Sequence, residues 1–224
     1  MRTLRLTRAL VDKIPNTIPD PGPMAEIADL QTDEARAEVL RGVLETGPDH
    51  DACWIFAFGS LMWKPDAILH QKRRARVKGW HRAFCLGPDT RYRGNPDAPG
   101  LMLSLEQGGE CDGIAFRLDE NDVPACLASL IDREPPIPPI WVDAQTDQGV
   151  VRALAFVCNP DKFGYVGGLL PEQIAHQIAP AVGMFGSMAD YVLNTATHLE
   201  EMGIQDDVVW QMQDLVAREL ERLP

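Results

Sequence analysis

The sequence offers little material for a disulfide framework or a metal centre. Its five cysteines are scattered, odd in number and without a C-x-x-C pair, so we expect small apolar core residues in a reducing compartment. The five histidines form no H-E-x-x-H or similar pattern, and we therefore expect no metal site. These absences argue against a disulfide scaffold and against a zinc enzyme.

Long apolar runs and excess positive charge are missing as well. No stretch approaches the roughly 18 consecutive apolar residues that a membrane span needs, and no apolar segment follows the basic start of the chain, as it would in a signal peptide. The formal net charge is −12 and the pI is about 4.8, so the surface repels nucleic acids and anionic membranes. We expect a cytoplasmic protein whose partner is neither a nucleic acid nor a membrane.

The composition is that of a globular protein with a sizeable core: 224 residues, 45% hydrophobic and 24% charged. Apolar, strand-like segments fill the middle of the chain, and three segments with helical periodicity close it. This order favours an α+β fold with a small, mostly antiparallel sheet or barrel and flanking helices. The three helical segments are residues 171–181, 187–202 and 206–223.

The first 50 residues are predicted to form an arm followed by one helix. Four prolines interrupt residues 1–24, which favours irregular backbone. Residues 25–46 carry apolar side chains at helical spacing, and a Gly-Pro pair ends that pattern. We therefore divide the chain into an N-terminal arm and helix, residues 1–50, and a main domain, residues 51–224.

An apolar run that ends in a glycine and a serine is the stretch around which the chain is organised. Residues 54–58 are mostly large and apolar, which predicts a strand buried on both faces. Gly59 lets the backbone turn sharply, and Pro65 soon ends any strand pairing. The N–H groups near Ser60 then have no strand partner. This bend is either a tight turn after a core strand or an anion-sized site lined by backbone donors.

Further strands and one further helix are predicted between this bend and the closing helices. Residues 101–105 and 114–118 are expected to pair around a Gln-Gly-Gly-Glu turn. An apolar strand is expected at residues 150–158. Residues 122–132 are expected to form a helix that tolerates Pro124 in its first turn.

Glu134 is the carboxylate most suggestive of chemistry. It stands between an apolar helix and the proline-rich residues 135–139, where access of water is expected to be limited. Desolvation raises the pKa of a carboxylate and makes it a usable general base or acid near neutral pH. Alternatively, Glu134 merely pairs with Arg133 or a nearby lysine at a helix end. The proline run itself is a rigid connector or a polyproline ligand.

A serine hydrolase is a weaker alternative. Ser60 would be its nucleophile and His70 or His81 its base, but the G-x-S-x-G signature of a nucleophile elbow is absent. The glycines of residues 164–168 likewise form no dinucleotide-binding fingerprint.

Four separated segments, taken together and in this order, resemble the ChaC-like γ-glutamylcyclotransferases. The first, residues 54–66, is similar to the family's glycine-serine-leucine signature. The others are residues 79–85 with 93–100, then Arg133-Glu134 after a leucine-rich helix, and finally residues 164–167 with 190–195 and 199–203. The resemblance covers roughly residues 53–220, and the first 50 residues lie outside it.

This resemblance implies a compact mixed barrel and an intramolecular aminolysis. In that reaction the γ-glutamyl group of glutathione closes to 5-oxoproline and releases Cys-Gly, so the protein would be a lyase for a small molecule, without a cofactor. By match to the family, Glu134 is the general base. The implied substrate-binding residues are Ile55, Phe56, Ala57, Phe58, Gly59, Ser60, Leu61, Arg93 and Tyr165.

The sequence departs from the family pattern in two places, of which the first is expected to leave the activity intact and the second bears on the substrate. Phe58 stands where many relatives have tyrosine, and the loop over residues 135–139 is shorter and stiffer than is usual in the family. Two alternatives therefore stay open: a cyclotransferase for another γ-glutamyl compound, and a catalytically silent module that binds γ-glutamyl or other small acidic ligands. The sequence gives no indication of the oligomeric state.

Overall fold

The computed structural model describes residues 2–48, 53–65, 69–119, 121–161 and 164–224, and of Leu69 and His70 the backbone alone. The chain divides into two compact units. We call the first the helical unit; it contains Met1–Met24, Arg82–Ser104 and Cys158–Pro224. The second, the barrel unit, contains Ala25–His81 and Leu105–Val157.

The regular elements alternate along the chain. The α-helices of the described residues are α1 (Arg8–Val11), α2 (Asp33–Thr46), α3 (Val123–Arg133), α4 (Pro171–Ile178), α5 (Met188–Glu201) and α6 (Asp207–Glu221). The strands are β1 (Trp54–Ala57), β2 (Leu69–Asp89), β3 (Gly100–Leu118), β4 (Ile140–Thr146), β5 (Gly149–Ala155), β6 (Val182–Gly183) and β7 (Gly186–Ser187). Within the same described residues, 3₁₀ helices span Ala25–Gln31 and Ser60–Met62.

Five strands close into a barrel in the order β1-β3-β2-β4-β5. β1 pairs antiparallel with β3 and parallel with β5, and β4 pairs antiparallel with both β2 and β5. A closed barrel leaves no unpaired sheet edge. The predicted α+β fold, with a mostly antiparallel mixed barrel and flanking helices, is confirmed.

The side chains of β1 explain why its sequence is apolar without interruption. Trp54, Phe56 and Phe58 belong to the hydrophobic cluster that fills the barrel, together with small residues of the facing strands such as Ala144 and Ala153. The intervening residues point to the other face of the strand. All four residues of β1 are buried, so the prediction of a strand buried on both faces is confirmed.

Helices α2 and α3 both belong to the barrel unit and pack against each other. The hydroxyl of Thr32 caps α2 by accepting the N–H of Ala35 at 3.1 Å. The carboxylate of Asp122 caps α3, and Pro124 stands in its first turn as predicted. The buried residues of α3 recur at helical spacing: Val123, Cys126, Leu127, Leu130 and Ile131.

The helical unit is built on α4, α5 and α6, of which α6 packs against the other two. Asp206 caps α6 and also pairs with Arg82, whose side chain is 1% exposed, at 2.7 Å between Oδ2 and Nη1. The three helices predicted for the last third of the chain are present, with ends that differ by a few residues.

Several elements differ from the sequence prediction, and the short helix α1 lies within the arm that was expected to be irregular. β3 is one continuous strand and not a hairpin, because Gly108 and Gly109 take positive φ within the strand and bend it without reversing it. β4 is not predicted, since its alternating pattern is short and directly follows the proline run. Helix α2 begins at Asp33, after the Thr32 cap, whereas Ala25–Gln31 is 3₁₀ helix.

Candidate active site

The backbone bends directly after β1. Gly59 has φ −130° and ψ −133°, and Ser60–Met62 form a single 3₁₀ turn. The carbonyl of Gly59 accepts the N–H of Met62 at 2.9 Å, and the carbonyl of Ser60 accepts the N–H of Lys64 at 2.8 Å. The chain therefore turns at the glycine and serine, as the sequence predicts.

Three successive backbone N–H groups lie at this bend. Within the part of the chain that the structure describes, the N–H groups of Gly59, Ser60 and Leu61 have no hydrogen-bond acceptor. Gly59 opens the 3₁₀ turn, and the first N–H groups of any helical turn lack a partner inside it. Such a row of donors suits an anionic group, which would supply the missing acceptors.

The side chains that precede the bend are structural. Phe56 and Phe58 lie in the barrel interior with their ring centroids 6.3 Å apart. Ile55 is 2% and Ala57 0% exposed. Any polar contact between this strand and a ligand would therefore come from the backbone.

Glu134 occupies the C-terminal cap of α3. Its N–H donates to the carbonyl of Leu130 at 2.9 Å, which completes the last helical turn. Its backbone then becomes extended, with φ −76° and ψ 156°. The following residue, Pro135, requires this conformation, because a proline ring clashes with a helical residue before it. Helix and proline together fix the backbone from which the carboxylate projects.

The strand register brings the bend and the Glu134 segment to the same end of the barrel. Ile55 of β1 pairs with Leu154 of β5, which pairs with Trp141 of β4. β4 runs opposite to β1, so the chain enters β4 at the end where it leaves β1. Glu134 precedes the first residue of β4 by six positions.

Helix α3 explains how the chain reaches that end. β3 finishes at the opposite end, where the N–H of Leu118 donates to the carbonyl of Cys53 at 2.9 Å. At 1.5 Å per residue, the 11 residues of α3 span about 16 Å. This length is enough to return the chain to the end that carries the bend.

The environment of Glu134 raises its proton affinity. Burial raises the pKa of its carboxyl from the ordinary 4.5 to about 7, and the neighbouring Arg133 opposes this change. Nε of Arg133 lies 3.5 Å from Oε1 of Glu134, and the Glu134 side chain is 14% exposed. Both readings of the sequence therefore hold locally: Glu134 is paired with Arg133 and is also desolvated. A carboxyl with a pKa near neutrality can accept and return a proton.

Arg93 and Tyr165 belong to the helical unit. The Arg93 guanidinium lies 5.1 Å from the centroid of the Tyr191 ring and donates to the carbonyl of Ser187 at 3.3 Å. Burial lowers the pKa of this guanidinium. Tyr165 pairs with Leu86 through an isolated β-bridge. Each residue thus has a structural role within its own unit, and their assignment to substrate binding stays a prediction.

The geometry of His81 does not match that of a catalytic base for Ser60. Its Nδ1 lies 3.1 Å from the carbonyl of Gly108, and its Nε2 lies 3.7 Å from Glu106. The side chain of His70 falls outside the described residues.

In the described part of the chain, no group of three or more metal-ligating side chains occurs. No helix in that part is both long and apolar enough to cross a membrane.

Sequence reasoning missed two residues that shape this end of the barrel. A Cβ at Gly113 would overlap the carbonyl oxygen of Ala57 and lie 2.9 Å from Cζ of Phe56, so glycine lets β3 approach the end of β1. A Cβ at Gly47, after α2, would lie 2.8 Å from Cζ2 of Trp141. Each glycine shows its role only when the neighbouring element is known.

The chain is similar to proteins of known family. The family model described as ChaC-like protein matches residues 53–219. A glutathione-specific γ-glutamylcyclotransferase of Escherichia coli (strain K12) is 37% identical over 178 residues, which cover 78% of this chain and 77% of that protein. The human glutathione-specific γ-glutamylcyclotransferase 1 is 33% identical, with 70% of this chain and 74% of that protein covered.

A solved structure agrees with the fold. The crystal structure of a yeast γ-glutamyl cyclotransferase specific to glutathione superposes with a TM-score of 0.67 at 17% identity, over 75% of this chain and 97% of that one. At this identity the match supports the architecture alone. The sequence relatives and the family model together confirm the resemblance noted in the sequence. The chain belongs to the ChaC-like protein family.

Proposed function

We propose that this protein is a γ-glutamylcyclotransferase that converts glutathione to 5-oxoproline and Cys-Gly. The names of its relatives, at 37% and 33% identity, support glutathione as the substrate. The observation that carries the proposal is the placement of a desolvated carboxyl, Glu134, at the barrel end that also holds the donor-rich bend at Gly59. The reaction belongs to the lyases.

The reaction requires little beyond folding the substrate and moving protons. The α-amino nitrogen of the γ-glutamyl group attacks its own γ-carbonyl carbon, and the bond from that carbon to the cysteinyl nitrogen breaks. The attacking amine is tethered to its target, so the enzyme has only to select a folded conformer. No atom changes its oxidation state, and we propose that the reaction uses no cofactor.

Glu134 is the proposed general base. Its carboxylate takes a first proton from the substrate ammonium before the attack and, after passing that proton on, a second from the ring nitrogen after the attack. Both protons end on the departing nitrogen, which becomes the ammonium group of Cys-Gly. A pKa of about 7 lets both transfers proceed near neutral pH, because the group is then neither a very weak base nor a very weak acid.

The bend is the proposed γ-glutamyl-binding element. The N–H groups of Gly59, Ser60 and Leu61 bind either the substrate α-carboxylate or the oxyanion that develops on the γ-carbonyl. Residues 55–58 directly precede this bend, and their buried side chains fix its position. Arg93 and Tyr165 are proposed as additional substrate contacts.

The proposed compartment and the proposed kind of partner rest on the state of the cysteines and on the net charge. Each of the five cysteines is buried and outside any disulfide, which supports a reducing compartment such as the cytoplasm. The net charge of −12 supports a small molecule as the partner and not a nucleic acid.

Incubation of the purified protein with glutathione tests the proposal. We expect 5-oxoproline and Cys-Gly to appear in equal amounts, as measured by mass spectrometry. Glu201→Gln, at an exposed position of α5, is the control and should turn over like the wild type.

Parallel incubations separate the alternatives. Turnover of γ-glutamyl dipeptides or γ-glutamylamines with glutathione inert would keep the reaction and overturn the substrate. Saturable binding of glutathione by calorimetry, without product, would instead favour the silent binding module. Labelling of Ser60 by a fluorophosphonate would favour the hydrolase.

A further inference from the structure

Helix α2 precedes the residues that the family model matches, yet it belongs to the barrel unit. The model match begins at residue 53, whereas α2 ends at Thr46. The helix packs against α3, and Val43 on its inner face is 5% exposed. Its contacts reach the chain segment that carries Glu134, residues 132–141.

The first contact lies before Glu134. Nε of Arg36, in the first turns of α2, is 3.3 Å from Oδ1 of Asp132. The two side chains are 35% and 63% exposed. An ion pair this accessible contributes roughly 0–1 kcal/mol, so this contact alone holds the segment weakly.

The second contact lies after Glu134 and combines a hydrogen bond with packing. Nε1 of Trp141 donates to Oγ1 of Thr46 at 3.3 Å. The same indole leaves no room for a Cβ on Gly47, which would be 2.8 Å from Cζ2 and 3.4 Å from Cη2. Gly47 has φ −73° and ψ 161°, a conformation open to any residue, so it is the space that favours glycine here: the indole is the nearest neighbour of the Cβ position, and the carbonyl oxygen of Val43 lies 3.0 Å from it.

Between these two contacts the chain is stiff. Four of the five residues from 135 to 139 are prolines, each with φ fixed by its ring. The N–H of Ile137 donates to the carbonyl of Pro135 at 2.6 Å. A segment with four fixed φ angles transmits a displacement of Trp141 to Glu134 more fully than a flexible loop would.

We propose that α2 is a brace that positions Glu134 for proton transfer, acting mainly through the contact of Gly47 with Trp141. This inference rests on the proposed function, since it takes Glu134 as the base. Gly47 and Trp141 are positioning residues, and neither touches the substrate. The brace is a part of the active-site apparatus that lies outside the segment matched by the family model.

Gly47→Ala tests the brace with one methyl group. The methyl must displace the indole or the end of α2, and a small misplacement of a catalytic group reduces turnover by about 10- to 100-fold. We expect a loss of that size in kcat for glutathione, with KM changed less than about twofold because the bend that binds the substrate is untouched.

Two further variants separate positioning from folding. Gly42→Ala places a methyl where nothing lies within 4 Å, on the same helix, and should keep the wild-type kcat. Trp141→Phe in the Gly47→Ala background removes the ring atoms that clash and should restore kcat at least about fivefold. A kcat for Gly47→Ala within twofold of the wild type would overturn the brace, and so would a loss that Trp141→Phe fails to rescue.

A readout without turnover separates this inference from the proposed function. In protein labelled with ¹³C at the glutamate carboxyls, the Glu134 signal, assigned with Glu134→Gln, should titrate near pH 7 in the wild type. Gly47→Ala should lower that midpoint, since water reaches the carboxyl when the segment shifts. Arg133 is the charged group beside this carboxyl, and Asp132 pairs with Arg36 of α2. An unchanged midpoint would contradict the brace. If the wild type forms no product from glutathione but Gly47→Ala still lowers the titration midpoint of Glu134, the proposed function alone is refuted.

Discussion

Replacing Glu134 with glutamine is expected to stabilise the protein while it removes the base. The native carboxyl has a pKa of about 7, against an ordinary value of 4.5, because it is buried. Between these two values the unfolded state has lost its proton and the native state has kept it. Stability of the wild type therefore falls as the pH rises through this interval and is constant above it. Glutamine cannot ionise and escapes this loss.

The size of the effect follows from the same two values. At about 1.4 kcal/mol per pKa unit, the interval from 4.5 to about 7 corresponds to about 3 kcal/mol. About 2 kcal/mol of this falls between pH 5.5 and pH 8.5, a range that avoids the pI of about 4.8. For a chain of this length, such a difference moves the melting temperature by roughly 4–8 °C.

Urea unfolding of the wild type and of Glu134→Gln, at intervals between pH 5.5 and pH 8.5, measures this difference in stability. The stability of Glu134→Gln relative to the wild type should increase with pH and level off above pH 7.5. Glu201→Gln should show no such trend. A relative stability of Glu134→Gln that is independent of pH, or that falls as pH rises, would refute a buried carboxyl with a raised pKa.

Three further predictions concern the rate and the packing. The kcat/KM of the wild type should fall as pH drops through about 7, because Glu134 must be ionised to accept a proton; a flat profile between pH 6 and 8 would contradict this. Gly113→Ala should lower stability in urea by about 1–3 kcal/mol, since its methyl meets Phe56, whereas Gly42→Ala should not. Asp206→Asn keeps the helix cap but removes the charge beside buried Arg82, so it should cost about 3 kcal/mol; Asp206→Ala should cost about 1 kcal/mol more.

The elements that sequence reasoning predicted correctly are those whose signals are local. The uninterrupted apolar run ending at Gly59 marks a strand buried on both faces, and the three closing helices follow from their apolar periodicity. Burial of Glu134 was predicted from the apolar helix before it and the prolines after it, and its raised pKa agrees with that prediction. Its role as a base stays a prediction.

The features that were missed depend on pairing between distant segments. Nothing near Gly108 and Gly109 distinguishes a bend within one strand from a hairpin turn, because both need positive φ. The end of β1 and the start of β4 lie at the same end of the barrel because both strands pair with β5, and these pairings are visible only in the structure. The sequence shows Gly47 only as the residue that ends a helix. Its proximity to Trp141, almost 100 residues later, is visible only in the structure.

The turnover of glutathione by Glu134→Gln, compared with that of the wild type, tests the central claim most directly. Formation of 5-oxoproline should fall by about 10²–10⁴-fold in a protein that is at least as stable as the wild type and that still binds glutathione in calorimetry. Turnover by Glu134→Gln within a few fold of the wild type would show that the base lies elsewhere.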